Sequence, residues 1–125
     1  MEKKASSKAT GFAAPTQGYE EQCIDLNRLL IHNPPATYFV WLDSSDMEHL
    51  GLPKNTLLIV DRSLPPKPDN IVMICHQGQF YCRLMVKTAS GVTFTNGEEE
   101  IKPIQGDTQI IGVITSSIKT HTNEE

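Results

Sequence analysis

The most constraining feature of this sequence is a succession of short β-strand patterns that fills the chain from Thr37 onward. Aromatic and β-branched residues are enriched in these segments, and Gly, Pro, Asn and Asp separate them. The segments are TYFVW, TLLIVD, NIVMIC, QFYCRLMV, GVTFT and QIIGVITSSI. HQG and NG are tight hairpin signals, and the prolines of RSLPPKPDN mark a loop. The pattern predicts a mostly β fold.

One helical pattern precedes the strands, in the segment CIDLNRLLIHNPP. Asp25 is a suitable N-cap, and Leu26, Leu29 and Leu30 recur at helical spacing. Two consecutive prolines then stop the helix. The segment predicts one short helix that packs by its leucine face.

Length and composition predict one domain with a flexible start. The chain has 125 residues. Residues 1–22 are rich in Ser, Lys, Gly and Pro and indicate a flexible N-terminal arm. Residues 23–119 form the expected β-domain, and residues 120–125 form a polar tail.

Charge and cysteine usage exclude several classes of function. The net charge is −4, which argues against direct nucleic-acid binding, because that needs a basic face. The chain has neither an apolar run long enough for a membrane nor a signal-peptide pattern. Three cysteines without a spaced framework indicate reduced thiols and a cytoplasmic location. The four histidines do not have metal-ligand spacing, so neither a metal nor a cofactor is expected.

The N-terminal third of the chain carries a resemblance. The segment from Gly11 to Met47, with GF, IDLN-LLI and ATYFV, resembles UmuD-family proteins, and the similarity extends over about residues 11–119. These are accessory subunits of the bacterial SOS mutagenesis polymerase, within the LexA-like self-cleaving serine proteases. The resemblance implies a LexA/UmuD-like twisted β-fold with one short N-terminal helix and a flexible N-terminal arm. It also implies a homodimer formed through the C-terminal region, for which Gln109–Ile118 offers an apolar strand.

The resemblance implies a Ser-Lys dyad, but this sequence departs from it twice. The family's serine directly precedes the methionine, whereas Asp46 precedes Met47 here, and Arg83 occupies the lysine position. Arginine keeps its charge at neutral pH and cannot act as a base. We therefore expect a pseudo-protease in which Asp46 and Arg83 face each other as an ion pair, with a bidentate fork between them.

Two serines and one lysine near the dyad positions are further candidates for the same chemistry. Ser44 and Ser45 lie upstream of the nucleophile position, and Ser45 is expected to be an ordinary loop serine. Lys87 lies four residues beyond Arg83, or about 13 Å along a strand, too far to replace it. The position of the family's scissile bond is occupied by Thr10 and Gly11.

The leading hypothesis is a non-cleaving UmuD-like protein that works by binding in the SOS DNA-damage response, as an accessory or regulatory subunit of translesion synthesis. The implied partners are a second copy, an active UmuD-like subunit, a UmuC-type Y-family polymerase and the RecA filament. One alternative is an active RecA-stimulated self-processing protease with a relocated dyad that uses Ser45 and a lysine. A third hypothesis is a decoy regulator that heterodimerises with LexA-like or UmuD-like proteins.

Overall fold

The computed structural model describes residues 23–103 and 106–122 as a mostly β structure, which confirms the expected fold class. One helix, α1, spans Leu26–Leu30. The strands are β1 Thr37–Trp41, β2 Thr56–Asp61, β3 Ile71–His76, β4 Gln79–Thr88, β5 Gly91–Thr95, β6 Glu100–Ile101 and β7 Thr108–Lys119. The predicted arm, with Thr10 and Gly11, lies outside the described residues.

The seven strands form one antiparallel sheet in the order β1-β2-β7-β3-β4-β5-β6. Strand β7 lies between β2 and β3, and it pairs with β3 through residues 108–113 and with β2 through residues 113–119. Its register shifts opposite Ile59/Val60 and again opposite Met73/Ile74. Each shift is a β-bulge, which bends the strand and increases the local twist.

Local turn chemistry determines the hairpins. The β3–β4 turn is formed by Gln77 and Gly78, with φ of 52° and 81°, as a two-residue type I′ turn requires. In the β5–β6 turn, the Asn96 side chain accepts hydrogen bonds from the amides of Glu98 and Glu99 at 2.9 and 2.8 Å. Both hairpins predicted from the sequence are therefore present.

The apolar core lies on both faces of the sheet. Successive side chains of a strand point to opposite faces. Met73 accordingly packs in a cluster with Leu58 and Val60 of β2, whereas its neighbours Val72 and Ile74 pack in a second cluster with residues of β4, β5 and β7. The middle of the sheet is consequently covered on both sides.

The prediction for the helix is only partly correct. Helix α1 exists, and the side chain of Asp25 caps it by accepting a hydrogen bond from the amide of Asn27 at 3.0 Å. The predicted packing is wrong, because no residue of α1 is buried and Leu26 and Leu29 are more than half exposed. The helix has only five residues, and helical spacing identifies an apolar face without identifying what covers it. No helix among the described residues is long and apolar enough to cross a membrane.

Candidate functional site

A cleft of about 220 Å³ lies between the loop that follows β1 and the start of β4. Apolar side chains of β1, β2 and β3 form much of its wall, including Val40, Leu58 and Met73. Charged groups are contributed by the loop, through Asp43 and Asp46, and by β4, through Arg83. The cleft thus brings together both residues that the sequence assigns to the dyad positions.

Met47 anchors the loop that carries Asp46. Its side chain is fully buried in the core cluster that includes Leu42 and Leu52. Its carbonyl accepts hydrogen bonds from the amides of Leu50 and Leu52, both at 3.0 Å. Because Met47 is held inside the core, the preceding residue is held at the mouth of the cleft.

Arg83 is a nearly buried charge on β4, where it pairs with Val72 of β3. Its NH1 donates a hydrogen bond to the carbonyl of Cys82 at 2.9 Å. Its guanidinium carbon lies 5.1 Å from the ring centre of Tyr81, within the range of a cation–π interaction. Its Nε has no hydrogen-bond partner among the described residues. The guanidinium is therefore held in place while part of its hydrogen-bonding capacity is unused.

Asp46 and Arg83 form a loose ion pair across the cleft. The distance from Oδ2 of Asp46 to NH2 of Arg83 is 3.7 Å, which is an ionic contact but longer than a hydrogen bond. The expected bidentate fork is therefore absent. The side chain of Asp46 is 52% exposed, so water reduces the attraction, and the pair differs from a hydrogen-bonded dyad.

The other candidate residues do not come together. Ser44 lines the cleft, and its hydroxyl accepts a long hydrogen bond from the amide of Asp46 at 3.4 Å. Ser45 is exposed and does not line the cleft. Lys87 is exposed near the far end of β4, opposite Val92. Among the described residues, neither a lysine nor a histidine lines the cleft.

Cys82 is the remaining nucleophilic side chain in the cleft wall. Burial raises the pKa of its thiol to about 12, and the adjacent charge of Arg83 only partly opposes this effect. The thiolate is the nucleophilic form, so Cys82 is inert at neutral pH. The described residues also contain no group of three or more His, Cys, Asp or Glu side chains that could hold a metal ion.

Sequence reasoning missed an exposed aromatic surface beside the cleft. Phe39 and Trp41 of β1 are 56% and 60% exposed, Phe80 of β4 is 68% exposed, and Tyr38 is 48% exposed. A second groove, of about 350 Å³, continues from the cleft along Tyr38, Phe39 and Phe80 to Arg62. The available signal was the pattern of TYFVW, which has large apolar residues at consecutive positions and therefore on both faces of a strand.

Comparisons with known proteins identify the family. Residues 5–115 match the family model described as Peptidase S24-like. The chain is 32% identical over 117 residues to Protein MucA of Salmonella typhimurium, covering 90% of this chain and 80% of the relative. It is 31% identical to Protein ImpA of Shigella flexneri, covering 86% and 76%, and 32% identical to Protein SamA of Salmonella typhimurium, covering 91% and 82%. The chain therefore belongs to the peptidase S24-like family and is a UmuD-like member of it.

Proposed function

We propose that this chain is a UmuD-like protein that does not cleave itself and works by protein–protein binding in the SOS response. It would serve as an accessory or regulatory subunit of translesion synthesis. Its relatives of the S24 type are self-cleaving serine proteases, so the proposal retains the family's binding role and removes the proteolytic step.

The observation that carries the proposal is the placement of Arg83 in the cleft. A Ser-Lys dyad needs an amine that can lose its charge and accept the proton of the serine hydroxyl. Arginine has no neutral form at neutral pH, and in this structure the guanidinium already donates to the carbonyl of Cys82. The partner position holds Asp46, a carboxylate that cannot be converted to an alkoxide. Together these two residues support a cleft whose dyad positions hold neither a serine nucleophile nor a lysine base.

A relocated dyad has less support. Ser45 is exposed and outside the cleft, and Ser44, which lines the cleft, has no lysine or histidine beside it among the described lining residues. A serine without a general base is a weak nucleophile.

Incubation of the purified chain with RecA, single-stranded DNA and a nucleoside triphosphate tests the proposal, with an active UmuD-family relative as the positive control. We expect no fragment that begins at Gly11, either at neutral pH or at alkaline pH, where a lysine base would become more active. Wild-type cleavage before Gly11 would overturn the proposal. In the same assay, Asp46→Ser with Arg83→Lys should recover slow cleavage, whereas neither single change should.

The binding role is tested by co-purification with each expected partner class. A UmuC-type polymerase, an active UmuD-like subunit and the RecA filament form separate arms, and the expected result is retention by at least one of them. Retention by the polymerase favours an accessory subunit, whereas retention only by a UmuD-like or LexA-like protein favours a decoy regulator. Failure in all arms, with no self-association, would reject a binding function of this kind.

A further inference from the structure

We propose that the cleft binds an acidic side chain of a partner protein, with the carboxylate held by the Nε and NH2 atoms of Arg83. The inference names the partner chemistry for the binding role in the proposed function and rests on that proposal in this respect. It starts from a charged side chain that is nearly buried, lines the cleft and has hydrogen-bond donors without a partner among the described residues.

The guanidinium of Arg83 is fixed on one side and unfilled on the other. Its NH1 donates to the carbonyl of Cys82 at 2.9 Å, and its carbon lies 5.1 Å from the ring centre of Tyr81. Nε and NH2 lie together on another edge, and in an arginine such a pair of N–H groups matches both oxygens of a carboxylate. Nε has no hydrogen-bond partner among the described residues, so a bound carboxylate would satisfy a donor that is otherwise buried at a cost.

Asp46 does not fill this fork. Its carboxylate lies 3.7 Å from NH2, too far for a hydrogen bond, and its side chain is 52% exposed. Met47 is fully buried and holds the loop in place, so the short Asp46 side chain stays at the mouth of the cleft. A solvated contact of this length contributes little, whereas a bidentate carboxylate makes two charge-assisted hydrogen bonds. We therefore expect the ligand to displace Asp46 towards solvent.

The size and lining of the cleft favour a protein side chain as the ligand. Its volume of about 220 Å³ is below the roughly 300–1,000 Å³ of most small-molecule sites. Trp41 and Phe80 line the cleft as well, and they are 60% and 68% exposed. An acidic residue with aromatic or aliphatic neighbours in its own chain would place its carboxylate on Arg83 and the neighbours against these two rings.

The charges in the cleft show how such a ligand is selected. Among the described lining residues, the carboxylates of Asp43 and Asp46 outnumber the single guanidinium of Arg83. General attraction therefore does not favour an anion, and the hydrogen bonds of the fork must hold it. Removal of either aspartate reduces the repulsion, but only removal of Asp46 also frees NH2. The two aspartates consequently provide a matched pair of variants.

The first test uses the fluorescence of Trp41, which is the single tryptophan of the chain and lines the cleft. The probes are the capped tripeptides acetyl-Phe-Glu-Phe-amide and acetyl-Phe-Gln-Phe-amide, which differ only in the carboxylate, and sodium acetate as a small anion. We expect a saturable change with the Glu peptide and a dissociation constant at least about tenfold lower than that of the Gln peptide. Acetate should bind at least about tenfold more weakly than the Glu peptide, because it has no apolar neighbours.

Variants of the full chain test the fork itself. Asp46→Ala should tighten binding of the Glu peptide by about three- to tenfold, and Asp43→Ala should tighten it less. Arg83→Lys keeps the charge but loses the planar fork, and it should weaken binding by at least about tenfold. Arg28→Lys, on the exposed helix α1, is the matched control and should leave binding unchanged.

Urea unfolding verifies that each variant is folded. If Arg83→Lys does not fold, the two aspartate variants still test the fork, because both side chains lie on an exposed loop and their removal affects NH2 differently. Equal tightening by Asp46→Ala and Asp43→Ala would contradict the fork and would indicate general charge attraction instead.

The remaining outcomes separate this inference from the proposed function. Equal affinity for the Glu and Gln peptides, or binding of the Glu peptide that Arg83→Lys leaves unchanged, would overturn the inference. Acetate that binds as tightly as the Glu peptide would overturn a partner side chain as the ligand. None of these results changes the outcome of the cleavage assay, whereas cleavage before Gly11 would overturn the proposed function whatever the peptides do.

Discussion

Asp46 and Arg83 face each other across the cleft with unequal burial. Their closest atoms, Oδ2 and NH2, are 3.7 Å apart, and the exposed fraction is 52% for the Asp46 side chain but 6% for that of Arg83. Removal of the exposed Asp46 side chain should therefore cost little stability. The buried Arg83 side chain, in contrast, packs inside the protein, donates a hydrogen bond and contacts an aromatic ring. The two residues should therefore respond very differently to substitution.

We expect Asp46→Ala to lower the free energy of unfolding by less than about 1 kcal/mol, because the contact is long and solvated. Arg83→Ala should lower it by about 2–4 kcal/mol through the lost packing of its buried stem. Urea unfolding measures both, and Asp43→Ala controls for the general loss of a loop carboxylate. The double variant should show a coupling below about 1 kcal/mol, and a coupling well above 2 kcal/mol would indicate a tight salt bridge.

Gly112 is a position on β7 where a side chain would force neighbouring atoms to move. A Cβ at this position would lie 2.7 Å from Cγ1 of Val60 and 3.1 Å from the carbonyl oxygen of Asp61. We expect Gly112→Ala to destabilise the protein by about 1–3 kcal/mol, measured by urea unfolding.

The matched control for Gly112 is the double variant with Val60→Ala, which removes the closest clashing atom. The two changes should then cost less together than the sum of their separate effects. Simple additivity would show that the side chain of Val60 is not the source of the strain.

The thiol of Cys82 should be protected by the fold. With its pKa raised to about 12, Cys82 should not react with a thiol reagent at pH 8.5 until the protein unfolds, whereas the exposed Cys23 should react at once. The unfolded thiol ionises from its ordinary pKa of 9.0, so stability should decline as the pH rises from 9.0 towards 12. Cys82→Val should remove this part of the alkaline decline. Rapid labelling of Cys82 in the folded protein would contradict the burial.

Ser63 should affect stability in a pH-dependent manner. Asp61 accepts hydrogen bonds from the hydroxyl of Ser63 at 2.6 Å and from its amide at 2.8 Å, and these bonds lower the pKa of the carboxyl below 3.8. The stabilisation is thus complete above pH 3.8 and is lost as the pH falls through the folded-state pKa. Ser63→Ala should cost about 1 kcal/mol at neutral pH and less in acid.

Urea titrations at several pH values measure this effect. Ser90→Ala, in a surface turn, is the control variant. Its effect on the free energy of unfolding should not change as the pH is lowered. An equal cost of Ser63→Ala at pH 7 and below pH 3.8 would mean that its hydroxyl does not act through the carboxylate of Asp61.

Six of the seven strands and the β3–β4 and β5–β6 hairpins could be predicted because their signals are local, whereas the two-residue strand β6 and the β4–β5 hairpin were not predicted. Alternation of side chains and turn pairs such as Gln77-Gly78 act within a few residues. The strand order could not be predicted, because the insertion of β7 between β2 and β3 joins segments that are far apart in the sequence, as in the pairing of Thr56 with Lys119. Local periodicity contains no information about such pairing.

Prediction of the candidate site from local sequence patterns has the same limit. The proximity of Asp46 and Arg83 was expected from the family resemblance and not from any pattern in this chain. The exposure of Phe39 and Leu29 was missed, because an apolar residue indicates a preference for burial and does not identify the neighbour that covers it. Which apolar residues stay exposed depends on which strand lies at the edge.

The central position of β7 also determines when the protein can fold during synthesis. Strands β1 and β2 form one unit and β3 to β6 another, and in the described residues only β7 is hydrogen-bonded to both. The ribosome synthesises β7 after the other six strands. The two units therefore cannot be joined, and each keeps an unpaired strand edge, until residues up to Lys119 have left the ribosome. A nascent chain arrested before Thr108 would expose the unpaired edges of β2 and β3 and would be vulnerable to proteases and to aggregation.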